Sequence, residues 1–158
     1  MNKIVAVIAA HPDDEVLGCG GTITFMAKCG YSVHMLFIAD GETSRQSDTE
    51  KIVKSKKIGK RITAAKTACE IMGCDSVEML SMPDNRLDGK ELLDVVKQVE
   101  LFLAQHCPSI VMTHHAGDVN IDHQVVHNAV IAACRPQPEA TIDELLFFEV
   151  PSSTEWRP

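Results

Sequence analysis

Short apolar runs rich in β-branched residues alternate with longer stretches of helical spacing along the whole chain, and this alternation narrows the fold more than any other feature. Lys3 to Ala10 (KIVAVIAA) is nearly continuous in apolar residues, as expected of a strand buried on both faces. Gly18 to Cys29 reads as a helix closed by Gly30. Ser32 to Ala39 is a second strand, and Ile58 to Met72 has helical spacing that stops at Gly73. A weaker strand spans Ser76 to Ser81, followed by an amphipathic helix from Glu91 to Gln105. Ser109 to Thr113 is a fourth strand, Val125 to Cys134 a helix ended by Arg135-Pro136, and Leu145 to Val150 a fifth strand. Such repeated alternation predicts a doubly wound α/β fold of Rossmann type. Its sheet is mostly parallel, of about five strands, with helices on both faces. The one long loop, Asp40 to Lys57, is polar, and a structureless stretch of that length is usually functional or mobile.

A length of 158 residues fits one domain spanning 1–158. With 15 basic against 22 acidic residues the net charge is −7, which argues against a nucleic-acid partner. Aromatics at 4% offer no platform for stacking bases. The longest apolar run, Ile4 to Ala10, is far short of the ~20 residues a membrane span requires. The N-terminus lacks the apolar region of a signal peptide, so the expected location is the cytoplasm. The six cysteines form no Cys-x-x-Cys pair and sit largely in apolar helical stretches, which predicts free thiols.

In a doubly wound sheet ligands bind beyond the carboxyl ends of the strands, where the strand order reverses, here between the first and fourth strands. The densest polar clusters follow those two strands. His11-Pro12-Asp13-Asp14-Glu15 comes after the first, and a segment from His114 to His123 comes after the fourth. Imidazole and carboxylate are good zinc ligands, and a catalytic site uses three of them with one open position. His11 and Asp14 lie three apart on a turn stiffened by Pro12, and His123 is the best third ligand from the far loop. Zinc lowers the pKa of a bound water towards ~7, and Asp13 is then the expected general base, later the acid for a leaving nitrogen. The plainer alternative is that Asp13, Asp14 and Glu15 cap the following helix and complement its dipole. His114 and His115 read as loop residues, with His115 as an outer-shell candidate. Gly18, Gly20 and Gly21 do not complete a dinucleotide fingerprint, because Ile23 stands where the last glycine belongs. Their expected role is close packing of the first helix on the sheet.

Ala10-His11-Pro12-Asp13-Asp14-Glu15 with Gly18-x-Gly20-Gly21, and Asp122-His123 after the fourth strand, resembles the PIG-L/LmbE-like zinc-dependent N-acetylglucosaminyl deacetylases. The resemblance runs over nearly the whole chain. It implies hydrolysis of the N-acetyl group of a GlcNAc-type amino sugar, nucleotide- or lipid-linked in some members, to acetate and a free amine. It also implies Zn2+, or another divalent ion such as Fe2+, held by His11, Asp14 and His123, with Asp13 as base. Arg61 matches an arginine associated with substrate binding, for which a solvated charge at a helix start is the alternative. Asp84 matches an acidic residue after the third strand, for which a Pro-Asp turn is the alternative. Many members place a histidine where Asn120 stands. An amide can donate to an oxyanion but cannot carry a proton, which leaves proton delivery to Asp13 and an orienting role to Asp122. Family chains usually continue well past the fifth strand, so the resemblance implies that this one is unusually short or lacks a C-terminal portion.

The expected partner is a small amino-sugar substrate, with no nucleic acid and no membrane span. The hydrophobic last strand presents an edge that invites pairing with a second copy, with Trp156 as a contact candidate. Two further functions fit the same residues: an amidase acting on small non-sugar amides, or a metal- and sugar-binding module without turnover. A nucleotide-binding Rossmann protein is the remaining alternative, and it would be indifferent to chelators.

Overall fold

The computed structural model describes residues 3–44, 51–138 and 141–156. Five strands form one sheet: β1 (Ile4–Ala9), β2 (Ser32–Ala39), β3 (Ser76–Met82), β4 (Ile110–His114) and β5 (Glu144–Phe148). Four helices connect them: α1 (Asp14–Lys28), α2 (Lys51–Met72), α3 (Leu92–His106) and α4 (Ile121–Ala133). Strand order is β3-β2-β1-β4-β5 and every pairing is parallel. The chain therefore winds outward from β1 in one direction and then, from β4, in the other. The order reverses between β1 and β4, where a crevice opens at the carboxyl ends of the strands.

Alternate residues of β1 enter two separate cores, as the period of two in a strand dictates. Val5, Val7 and Ala9 pack with Cys19 and Ile23 of α1 and Ala65, Cys69 and Met72 of α2. Ala6, Ile8 and Ala10 pack with Val95, Val99 and Phe102 of α3 and Val126 and Val130 of α4. The helices thus cover both faces of the sheet, as the sequence pattern indicates. α1 ends with Gly30 at φ 81°, where Gly30 N donates to Ala27 O and Tyr31 N to Met26 O, and Gly73 closes α2 in the same conformation (φ 82°).

Three helices, α1, α2 and α4, begin earlier than the apolar spacing suggests. α1 starts at Asp14 rather than Gly18, and α4 at Ile121 rather than Val125, because Asp14 and Glu15 in the one and Asp122, His123 and Gln124 in the other interrupt the apolar period. The long loop is also shorter than expected, since α2 already begins at Lys51; residues 45–50 lie outside the described residues. All six cysteines are free thiols, although Cys29 and Cys107 are exposed rather than packed. Among the described residues no helix is long and apolar enough to cross a membrane.

The three glycines of α1 differ in what they meet. A Cβ on Gly18 would lie 2.5 Å from Phe148 Cδ2 and 3.0 Å from the Glu149 carbonyl oxygen, and the helix kinks at the next residue, Cys19. At Gly21 nothing lies within 4 Å, so the close-packing role expected there is not needed. Gly18→Ala should therefore destabilise the protein by about 1–3 kcal/mol through overpacking. Gly21→Ala should instead stabilise it by up to about 1 kcal/mol through helix propensity. Chemical denaturation of the two variants, compared in midpoint and slope, checks both.

Candidate metal centre

β1 delivers its chain into the crevice at Ala10 and His11. The turn that follows is held by Asp13 N and Asp14 N, which donate to His11 O at 3.0 and 3.3 Å. Asp14 folds back so that Oδ2 accepts from His11 N at 2.8 Å. Glu15 Oε2 accepts from Asp13 N at 3.0 Å, so the helix start is capped by Glu15 while the Asp13 carboxylate makes no capping bond. On the other side, His114 is the last residue of β4 and Asn120 caps α4, its Oδ1 accepting from Asp122 N at 2.9 Å. Asp122 and His123 then occupy the first turn of α4.

These two segments converge on one atom. Asp14 Oδ2 lies 3.4 Å from His11 Nδ1, 3.3 Å from His123 Nε2 and 3.4 Å from His114 Nε2. All four residues are buried. Each imidazole is fixed from behind. His11 Nε2 faces Asp122 Oδ2 at 3.0 Å and Asp84 Oδ1 at 3.2 Å. His123 Nδ1 donates to Asp118 Oδ2 at 2.9 Å. His114 Nε2 accepts from Ala10 N at 2.9 Å, and its ring stacks on His123 at 3.9 Å.

Three triads of close ligand atoms arise here: His11–Asp14–His123, His114–Asp118–His123 and His11–Asp84–Asp122. Hydrogen bonding separates them. In the second, Ala10 N takes the His114 Nε2 lone pair and Asp118 Oδ2 already accepts three donors. In the third, both oxygens of Asp122 are engaged, by Asn85 N, Leu87 N and His11. In the first, His123 Nε2 is buried without a hydrogen-bond partner. Since Asp118 takes the Nδ1 proton, this Nε2 presents a lone pair towards Asp14, and a buried lone pair facing a carboxylate calls for a cation between them. The donor set therefore fits a divalent ion at His11, Asp14 and His123, the residues the sequence singles out.

Electrostatics agree. Burial works against charge on His11, yet hydrogen bonds to Asp122, Asp14 and Asp84 raise its pKa to about 11. Burial would raise Asp14, but the neighbouring His11 and His123 imidazoles hold it far below the usual carboxylate range. The ring of aspartates demands positive charge at its centre. His114 is the exception: burial pulls its pKa down to about 3, so it is a neutral wall and not a charge partner.

Asp13 stands at the mouth of this centre with about half of its side chain exposed. Its Oδ2 accepts from Arg61 Nη1 at 2.8 Å, and Arg61 also donates to Pro12 O and, through Nε and Nη2, to Glu42 Oε1. Burial and the neighbouring Asp14 charge raise the Asp13 pKa, while Arg61 and His11 oppose the rise. Glu42 is itself placed by a turn in which Asp40 Oδ1 accepts from Glu42 N and Thr43 N. Gly41 within it has φ 67°, and a Cβ there would meet Pro12 Cδ at 3.3 Å. A polar cleft of about 290 Å3 holds His11, Asp13, Asp14, Arg61, Asn120 and His123. Beside it, between α1 and α2, lies a larger cavity of about 700 Å3 that shares Asp13 and Arg61 and is floored by Val16, Leu17, Ala64, Ala65 and Ala68.

The structure thus brings together His11, Asp13, Asp14, Arg61, Asp84, Asn120, Asp122 and His123. Sequence reasoning missed His114, Asp118 and Glu42. His114 belongs to β4 rather than to the loop, and only the pairing of β4 with β1 reveals that it faces Ala10. His115, the outer-shell candidate, is exposed and merely accepts from Gly117 N.

Comparison with known proteins accords with this geometry. A family model described as PIG-L, GlcNAc-PI de-N-acetylase, matches residues 6–134. An uncharacterized deacetylase of Escherichia coli, YaiS, is 30% identical over 156 residues, covering 96% of this chain and 76% of the relative. A 4-oxalmesaconate hydratase of Pseudomonas putida is 28% identical, covering 99% of this chain and 65% of its own. The N,N'-diacetylchitobiose deacetylase of Pyrococcus horikoshii superposes with a TM-score of 0.73 at 21% identity, over 88% of this chain and 52% of that one, which establishes likeness of fold. The chain therefore spans between about half and three quarters of the length of these proteins.

Asp122 provides the sharpest check on how the centre is built. It is fully buried and accepts from Asn85 N at 2.7 Å and Leu87 N at 3.0 Å as well as facing His11. Asp122→Ala should cost about 3 kcal/mol, because it strands two backbone donors and one side of a buried imidazole. Asp122→Asn should cost less, since its amide oxygen still accepts one of them. Denaturant unfolding of both variants measures the difference.

Proposed function

This chain belongs to the PIG-L family, and we propose that it hydrolyses the N-acetyl group of an amino sugar, releasing acetate and a free amine. The observation that carries this reading is the bare Nε2 of buried His123 beside Asp14 and His11, with Asp13 opening onto the same cleft. His11, Asp14 and His123 would hold Zn2+ or a similar divalent ion, which when bound polarises an amide carbonyl and acidifies water. Asp13 takes the proton of the attacking water and hands it to the leaving nitrogen, a task suited to a carboxylate whose pKa is raised. Arg61 keeps the Asp13 carboxylate turned into the cleft. Asn120 spends Oδ1 on the helix cap and keeps its amide N–H groups for the developing oxyanion. Asp84 and Asp122 hold the His11 ring, the outer support that metal-ligating imidazoles commonly need.

The polar cleft suits one sugar ring. The apolar cavity beside it, with Lys57 and Lys60 at its edge, would take the group attached to that sugar. The family and the Pyrococcus deacetylase, both named for N-acetylated glucosamine derivatives, support an amino sugar in the cleft. The Pseudomonas hydratase favours a second reading, addition of water across a carbon–carbon double bond, with Asp13 again moving the proton. Acetate released from N-acetylglucosamine substrates, against loss of conjugated absorbance from unsaturated acids, separates the two.

Asp13→Ala should lower acetate release by at least about a hundredfold while the purified protein keeps its metal, as read by a coupled acetate assay and elemental analysis. Dialysis against a chelator should abolish turnover, and added Zn2+ should restore it. Ala68→Leu, which narrows the cavity floor, should reduce kcat/KM roughly tenfold for an N-acetylglucosaminide bearing an apolar aglycone and leave free N-acetylglucosamine nearly unaffected.

A further inference from the structure

The chain does not leave the centre at α4. β5 pairs with β4, so the turn that follows it is carried back over the strand ends, and its serines Ser152 and Ser153 line the catalytic cleft. Ser153 N and Thr154 N both donate to Val150 O, at 2.9 and 2.8 Å, which closes the turn tightly. Two hydroxyls from it reach one buried oxygen: Ser153 Oγ and Thr154 Oγ1 each donate to Asp118 Oδ2 at 2.8 Å. The same Oδ2 accepts from His123 Nδ1 at 2.9 Å, while Oδ1 accepts from Asn120 N at 2.8 Å. Asp118 is 1% exposed, so no water competes for these bonds.

An oxygen that receives three donors has no proton to give. His123 must therefore donate through Nδ1, which leaves Nε2 as the nitrogen that faces Asp14 and that carries the lone pair in the neutral ring. Two hydroxyls on the far side of the carboxylate also fix where Oδ2 sits, and with it the tilt of the imidazole. We propose that Ser153 and Thr154 are positioning residues of the metal centre, acting through Asp118 on His123 to set how tightly the site holds its ion. The proposal rests on the assignment of His123 as a metal ligand. It extends the site to a segment after the last strand that no part of the motif pattern covers. Outer hydrogen bonds of this kind commonly govern metal affinity by 10- to 100-fold.

Thr154 Oγ1 also accepts from Val150 N, so part of its bonding merely folds the turn, and the test has to distinguish support of the metal from support of the fold. The measurement is Zn2+ affinity by competition with a chromophoric chelator, together with the visible spectrum of the Co2+-substituted protein and the melting temperature without metal. Ser153→Ala with Thr154→Val should weaken Zn2+ binding about tenfold and perturb the Co2+ bands. Ser153→Thr, which keeps a hydroxyl, should restore binding in the Ser153 position. In an Asp118→Ala background the double change should weaken binding no further. Ser153→Ala alone leaves the bond between Thr154 and Val150 intact, so it carries the test if the double variant does not fold, with a loss of roughly threefold. A folded double variant that binds Zn2+ as the unaltered protein does overturns the proposal, as does an equal loss in the Asp118→Ala background. Unaltered protein that binds no Zn2+, or binds it equally well after His123→Ala, overturns the metal-centre reading itself, whatever the tail variants do.

Discussion

One carboxylate oxygen organises this protein. Asp14 Oδ2 sits within 3.4 Å of nitrogens from three imidazoles, two of which come from the end of β4 and the start of α4, about a hundred residues away. Burying that much polarity is costly unless every group is answered. The fold answers largely with backbone. Asp14 takes His11 N, Asp118 takes Asn120 N, and Asp122 takes Asn85 N and Leu87 N. Each of these donors belongs to a turn beyond the carboxyl end of a strand or to the loop leading away from it. The centre is thus tied to the topology: were β1 and β4 not neighbours, His11 and His123 would have no common point to face.

Much of this can be read before any coordinates. The buried strands announce themselves because a parallel strand covered on both faces must be apolar at nearly every position, and β1 and β2 are. The acidic turn after β1 is equally plain. Helix starts are harder, for a physical reason. The residues that serve the centre lie in the first turns of α1 and α4, and placing Asp14, Asp122 and His123 there displaces the apolar residues from which helical period is recognised. Function erases the signal of structure at the place where the two meet. His114, Asp118, Glu42 and Ser153 were hidden for another reason. Each is an ordinary polar residue in its own segment and gains its role only from a partner 5 to 104 residues distant.

The layout also separates two electrostatic tasks. Around the ligand triad the aspartates outnumber the cations, and the imidazoles are drawn towards positive charge. At the preceding residue, Asp13, burial and the Asp14 charge outweigh Arg61, which lies against it and is held in place by Glu42, and leave the pKa raised. Two adjacent residues of one helix start are therefore driven apart. Asp14 is held ionised among the imidazoles, and Asp13 is left with a raised pKa and half in solvent. A run of acids that resembles a helix cap is divided by its neighbours into a buried, ionised carboxylate, a half-exposed carboxyl of raised pKa and, in Glu15, the true cap.

Relatives of this chain are named both as deacetylases and as a hydratase. A held cation beside a mobile proton activates water without regard to what the water attacks. The choice of bond then falls to the walls. Here those walls are unequal: a polar cleft sized for one small ring, and an apolar cavity more than twice as large that shares Asp13 and Arg61 with it. A ligand spanning both would pass along the Arg61–Asp13 pair, so whatever occupies the cavity bears directly on the proposed base. On the proposed function, selectivity in this chain is expected to show in kcat as well as in KM, since a ligand in the cavity would meet Arg61, which touches Asp13, the proposed base.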